Sequence, residues 1–342
     1  MLKTYTLEQG DIWNNIVKSF DCYDVCYLKE YAAAFFKQGE GTPLLVYCES
    51  SGARAMNVIF IRDIAEDSRF RGVLEPGQYF DISTPYGYGG FWMEGEAFET
   101  VNEEYENFCI ANGFITEFVR FHLFSAYEKR YFGAVESHTQ NVVCALSLSE
   151  EELLRSFEHK VRKNIRRAEE NHLSVLVDTS GDRLSDFLGL YYDTMRRTGA
   201  EERFFFSEDF FAELNKMKDQ FAYFFVLDGQ DVVSTELVLF GSENSYSFLG
   251  GTRAEAFHLR PNDFLKFHII KWCKEKGLKR YILGGGYGSD DGIFKYKRSF
   301  APYGVVPFYI GKKVFSPSTY DKLMGLRGED LKNSGFFPGY RG

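Results

Sequence analysis

The sequence predicts an α/β chain of two similar domains, each a mixed central sheet flanked by helices. Three observations carry that expectation. At 342 residues the chain is too long for one ordinary domain and about right for two. Its composition, 44% hydrophobic and 26% charged, is that of a globular protein. The third observation is an ordered pattern of strands and helices that occurs twice.

Leu44 to Glu49, a Ser51-Gly52 turn and Ala55 to Ile61 read as strand, turn, strand. Phe224 to Gln230 followed by Val232 to Phe240 reads the same way. Further on, Tyr105 to Gly113 is a helix ending at a glycine, with a strand from Phe114 to Phe121 behind it. Its counterpart is the helix Ile269 to Gly277 and the strand Leu278 to Leu283. Glycine stands in both at the position where a helix end favours a left-handed residue. About fifteen extra residues separate the two elements in the first copy, where 81–92 lies. Two pairs in the same order make tandem domains the better reading.

The join is expected at 148–149, giving domains 1–148 and 149–320 and a loosely ordered tail 321–342. There the strand Asn141 to Leu148 gives way to a helix opened by Ser149 with Glu152 three residues on, a capping-box pattern. That helix, Glu150 to Asn171, carries an apolar stripe of Leu153, Leu154, Phe157, Val161, Ile165 and Ala168. Opposite it lie Arg155, His159, Lys160, Arg162, Lys163, Arg166 and Arg167. A further helix, Asp182 to Gly199, ends in Arg196-Arg197-Thr198-Gly199.

The aromatic fraction, 18%, is high enough to fill two cores and leave rings for a cleft. A net charge of −9 excludes a globally basic nucleic-acid coat and leaves room for a local basic patch. No apolar run is long enough for a transmembrane helix, and the N-terminus does not read as a secretory signal. Six scattered cysteines without a CxxC pair read as reduced thiols of a cytoplasmic protein, and no metal site is expected.

The sharpest local signal runs from Tyr281 to Phe300. A strand enters Gly284-Gly285-Gly286, an acidic turn follows, and then Lys295, Lys297 and Arg298 alternate with aromatics. Glycines there admit a ligand close to the backbone, and the cations suit a phosphate or a developing oxyanion. A tight loop with a solvated basic strand is the plain alternative. The loop Asp81 to Gly90, with Tyr86 and Tyr88, either lines a cleft or packs its rings on a sheet. The basic face of Arg155 to Arg167 either binds phosphates or is simply solvated. No GxSxG, HExxH or local Cys/His arrangement is present, which favours direct transfer over a protein nucleophile.

Together these pieces resemble the Fem family of peptidoglycan-bridge aminoacyltransferases and their wider relatives with a tandem acetyltransferase-like (GNAT) fold. The similar parts are Thr84 to Gly90, His159 to Ala168, Pro261-Asn262 with Phe264-Leu265, and Leu283 to Gly286 leading to Phe294, Tyr296-Lys297 and Phe300. The likeness spans roughly 25–315 and implies two tandem GNAT-like domains, here without a coiled-coil arm. It implies transfer of an aminoacyl group from tRNA to an amine of a phosphate-bearing acceptor such as a cell-wall precursor, with no further cofactor. In that resemblance Lys297 is the catalytic residue and Arg197 contacts acceptor phosphates. Tyr86, Tyr88, Gly285, Gly286, Lys295 and Phe300 line the substrate, and Lys160, Arg162, Lys163, Arg166 and Arg167 take the phosphates or tRNA. The active cleft is expected in the second domain, roofed by the first. An acyl-CoA donor and a scaffold that binds without catalysis stay open; Arg253 to Asn262 stands where a CoA loop would be, without its glycines.

Overall fold

The computed structural model describes residues 1–50, 52–286, 291–327 and 335–342. By contact the chain divides into two units. One comprises 1–21, 26–138 and 308–342, the other 22–25 and 139–307.

The first unit contains β1 (Leu2–Tyr5), α1 (Gly10–Ser19), α2 (Lys29–Lys37), β2 (Thr42–Ser50), β3 (Ala53–Asp63), β4 (Phe80–Ser83), β5 (Trp92–Gly95), α3 (Phe98–Ala111) and β6 (Phe114–Arg120). From the end of the chain it takes most of β13 (Val305–Val314) and α10 (Pro317–Arg327). Its strands run in the order β1-β2-β3-β4-β6-β13, with β5 beside β3. The expected hairpin is there, paired from Thr42 with Ile61 to Ser50 with Ala53. β4 and β6 are parallel, and the chain after β4 stays zipped to β6 by Thr84 N–H to Phe118 O and Gly89 N–H to Arg120 O.

The second unit takes β7 (Ala134–Ala145) from Thr139 onward, then α4 (Glu150–Ser156), α5 (His159–Glu170), β8 (Ser174–Asp178), α6 (Leu184–Thr198), α7 (Glu208–Leu214), β9 (Phe221–Asp228), β10 (Asp231–Phe240), β11 (Asn244–Thr252), α8 (Pro261–Glu275), β12 (Arg280–Gly284) and α9 (Gly292–Arg298). Strand order is β7-β12-β11-β10-β9-β8. β8 to β11 are antiparallel neighbours, whereas β11 and β12 are parallel. β10 is buried from Val232 to Phe240, so both of its faces meet packed layers. α5 buries Val161, Ile165 and Ala168, and α8 buries Phe264, Leu265, Ile269, Ile270 and Cys273. Both helices that the repeat predicted end before left-handed glycines, Gly113 at φ 69° and Gly277 at φ 77°.

Three expectations need correction. The join does not fall at 148–149: contact divides the chain near 138–139, and residues from Phe308 return to the first unit, where Ile310 to Val314 pair with Arg120 to Thr116 of β6. The tail is not loose where it is described. Tyr340 is fully buried, and Arg341 donates to Asp81 at 2.6 Å; residues 328–334 lie outside the described residues. The helix 150–171 is two helices. The capping box at Ser149 and Glu152 forms as expected, but Phe157 and Glu158 are extended, and Glu158 N–H donates to Ser299 O at 2.9 Å. Burying the Phe157 ring against Phe267 and Phe300 turns the chain there.

Candidate active site

The parallel pair in the second unit holds together over only three residue pairs, Asn244 to Tyr246 with Arg280 to Ile282. β11 continues to Thr252 and β12 to Gly284 without pairing to each other. The carboxyl ends of diverging parallel strands are where open α/β sheets present their ligand crevice. Between the pairs Leu237–Leu249 and Val238–Ser247 the register skips Phe248, a bulge in β11 beside the opening.

A cavity of about 260 Å³ lies there. β10 supplies Ser234 and Glu236, two apart and therefore on one face. α8 supplies Asn262 and Lys266, which share a helix face at i, i+4. Thr252 comes from β11, Arg197 from α6 and Tyr296 from α9. At the floor, Lys266 Nζ donates to Glu236 Oε2 at 2.5 Å, to Ser247 Oγ at 2.6 Å and to Tyr281 Oη at 3.1 Å, while the Tyr281 hydroxyl donates to Glu236 Oε1. An ammonium has three donors, so Lys266 is fully committed. Above the floor, Ser234 and Thr252 donate to Asn262 Oδ1 at 3.0 and 2.5 Å. The Tyr296 hydroxyl is buried and has no hydrogen-bond partner among the described residues. Burial, then the charges of Asp263 and Glu236, push its pKa well up, so it remains a donor.

Lys297, on α9, is half-buried and its side chain reaches the residues just after β12. Its ammonium donates to Gly285 O at 2.5 Å, and a Cβ at Gly284 would come within 3.3 Å of it. Gly284 sits at φ 81°, so no other residue suits that position. Burial and the charge of Lys266 lower the Lys297 pKa to about 8, against Glu236 and Asp291. Lys297 therefore keeps donors that Lys266 has already committed, although it is not among the residues that line the 260 Å³ cavity.

Arg197 stands at the mouth of the cavity. Its guanidinium lies 5.0 Å from the Phe257 ring centre and donates to Thr252 O at 3.1 Å. Arg197 and Thr252 also border a wider groove of about 1070 Å³ along α6. On α5, Lys160, Lys163, Arg166 and Arg167 are exposed, and among the described residues none has an ion pair or a side-chain hydrogen bond.

The structure distributes the other expected residues differently. Arg162 donates to the carbonyls of Arg155 and Phe157, capping α4 rather than facing solvent. Phe300 is fully buried against Phe157 and Tyr296, a core ring with no surface for a substrate. Gly286 leaves room for the Asp291 carboxylate, which caps α9 by accepting from Phe294 N–H at 2.7 Å. The basic stretch of Lys295 and Lys297 is helical rather than a strand, with Lys295 exposed. The acidic turn at 287–290 lies outside the described residues. Tyr86 and Tyr88 belong to the first unit, where Tyr86 stacks on Phe35 and Tyr88 meets Phe308 and His122 edge-on.

Sequence reasoning missed Ser234, Glu236, Thr252 and Lys266. The signal was present: Glu236 interrupts the apolar strand Val232 to Phe240, and Lys266 interrupts the apolar run Phe264 to Ile270. A charge in a stretch that must be buried needs a partner.

Residues 155–298, which include every residue lining this cavity, match the family model described as an acetyltransferase (GNAT) domain. Taken with the repeated α/β topology, that match gives the chain a tandem GNAT-like fold, the matched acetyltransferase-type domain lying in the second unit. Among solved structures, FemX superimposes with a TM-score of 0.70 at 15% identity, covering 94% of this chain and 99% of that one. A conserved protein of unknown function from Bacteroides thetaiotaomicron gives 0.58 at 10% identity, over 91% and 98% of the two chains. The C-terminal domain of a putative lysylphosphatidylglycerol synthetase from Agrobacterium fabrum gives 0.55 at 14%, over 92% of each. No curated protein matches the sequence.

Proposed function

We propose that the second unit transfers an aminoacyl group from tRNA to an amine of a phosphate-bearing acceptor. A cell-wall precursor fits that description, and FemX is the neighbour that suggests the class. The observation that carries the donor assignment is the start of α8. Pro261 removes one of the free N–H groups there, and Asp263, buried in the first turn, adds a negative charge that disfavours a pyrophosphate at that helix start. That helix start is therefore poorly suited to coenzyme A. The unpaired cations of α5 offer a strip for a polyanion instead.

In this reading the acceptor amine attacks the ester carbonyl of the donor directly. The carbonyl oxygen takes up negative charge, which the Lys297 ammonium stabilises. Collapse breaks the bond to the ribose oxygen of the tRNA and leaves an amide, and the proton lost by the amine is taken up, by way of solvent, by the departing ribose oxygen, which leaves as a hydroxyl. Arg197 holds a phosphate of the acceptor at the mouth of the cavity. The rival donor, acyl-CoA, draws its support from the acetyltransferase description of the matched domain.

Calorimetric titration with charged tRNA and with acetyl-CoA, each at two salt concentrations, separates the two. Salt-sensitive binding of tRNA alone is the expected result. Saturable coenzyme A binding without tRNA binding overturns the donor assignment.

A further inference from the structure

One buried hydroxyl in the wall of the second unit's cavity is left over. Lys266 and Glu236 satisfy each other, with Ser247 and Tyr281 completing the pair. Ser234 and Thr252 are bonded to each other and to Asn262 Oδ1. The Thr235 hydroxyl donates to Phe224 O at 2.9 Å, and Thr194 Oγ1 accepts from Thr252 N–H at 3.0 Å. The Tyr296 hydroxyl belongs to the same wall, is buried, and has no hydrogen-bond partner among the described residues.

Packing fixes the ring. Its backbone carbonyl accepts from the Ser299 hydroxyl at 2.6 Å. The ring meets the fully buried Phe300 edge-on, with centres 5.3 Å apart, and so rests on the core of the second unit. Tyr296 is also the residue that α9 contributes to the cavity wall. A buried polar group without a partner costs folding free energy, and a bound ligand that supplies the bond accounts for keeping one. A phenol kept protonated by burial is a donor, so the missing partner is an acceptor. Asn262 adds a second donor: Ser234 and Thr252 occupy its Oδ1, which leaves Nδ2 to donate. The floor's charges are paired, so it offers neither a free ammonium nor a free carboxylate to a charged group. The wall and floor together suit an uncharged group that presents an acceptor oxygen.

We propose that the Tyr296 hydroxyl donates to the carbonyl oxygen of the acyl group that the second unit transfers, and so selects the acylated form of the donor over the free form. This rests on the acyl-transfer reading of the cavity but not on the donor, since a tRNA ester and a coenzyme A thioester both carry that oxygen. The bond forms on binding, and Tyr296 keeps its proton throughout. Lys297, which does not line the cavity, contributes charge, whereas Tyr296 makes the direct contact.

The test is calorimetric titration of the full chain with alanyl-tRNA, uncharged tRNA, acetyl-coenzyme A and free coenzyme A. The wild type should bind the acylated form of its donor about three- to tenfold more tightly than the free form, the worth of one hydrogen bond, and Tyr296→Phe should lose that preference. Tyr303→Phe, which removes a hydroxyl from a side chain 97% exposed, should keep it. Thermal melting without ligand gives a second readout: Tyr296→Phe should melt at or above the wild type, because it discards an unpaired hydroxyl. A variant that melts lower has lost a bond within the protein and overturns the proposal. So does a wild type without the preference, or a Tyr296→Phe that retains it. Equal weakening of acylated and free forms puts the contact on the rest of the donor and overturns the carbonyl assignment. Binding of acetyl-coenzyme A alone removes the tRNA assignment and leaves Tyr296 to be judged on the thioester. If neither donor binds, the acyl-transfer reading and this contact fall together.

Discussion

Lys266 and Glu236 meet at 2.5 Å beneath the cavity of the second unit, both of them buried. Thirty residues apart in the chain, they bind α8 to β10 through a charge pair that Tyr281 and Ser247 complete. Breaking one half leaves a buried charge without its counterpart. Lys266→Met should cost about 3–5 kcal/mol of stability. The double variant with Glu236→Gln should cost less than the sum of the singles. Urea unfolding of all three variants checks this, and additive losses would refute the coupling.

Lys297 is expected to act in its protonated form. With a pKa of about 8, the cation predominates at pH 7 and is lost as pH rises through 8. Turnover should therefore fall along an alkaline limb centred near pH 8, and Lys297→Ala should lower it by about 100-fold or more. The sign for stability is opposite. A lysine whose folded pKa is depressed binds fewer protons when folded, so stability should rise between pH 8 and the ordinary lysine range. Lys297→Met should melt above the wild type at pH 7. A rate that climbs through pH 8 would show the neutral amine working as a base, and the oxyanion role would fall.

The two kinds of cation on α5 should separate by measurement. Arg162→Ala removes donors from the carbonyls of Arg155 and Phe157 and should cost about 1–2 kcal/mol. Lys163→Gln, Arg166→Gln and Arg167→Gln should each stay within about 0.5 kcal/mol of the wild type. Each should also lower the salt dependence of RNA binding by about one unit of slope. Chemical denaturation and fluorescence anisotropy at several salt concentrations read the two effects independently.

The end of the chain is structural in the first unit. Asp81 is fully buried and holds Arg62, Arg341 and Tyr340 together. Tyr340→Phe should cost about 1–2 kcal/mol, since it removes hydrogen bonds to Asp81 and Thr116. Arg341→Ala should cost more, yet less than loss of a sole partner, because Arg62 still faces the carboxylate. Melting temperatures in that order support the network; no loss in either variant contradicts it.

Sequence alone determined what local patterning encodes. The hairpins of 42–63 and 221–240, the two helix-glycine-strand units and the capping box at Ser149 all follow from alternation, helical spacing and end chemistry within a few residues. The glycine run and the cations beyond its acidic turn mark the segment 281–300 in the sequence, while the roles of Lys297 and Arg197 come only from the resemblance. Tertiary structure decided what depends on distant partners. The break at Phe157 follows from its packing on Phe267 and Phe300, more than a hundred residues away. Burial of Tyr340 returned the tail to the first unit. Pairing across the sheet gathered Ser234, Glu236, Thr252, Asn262 and Lys266 around one cavity. Hydrophobic periodicity says which face of an element is buried, but not which element covers it, and a buried charge is placed only when its partner arrives through the fold.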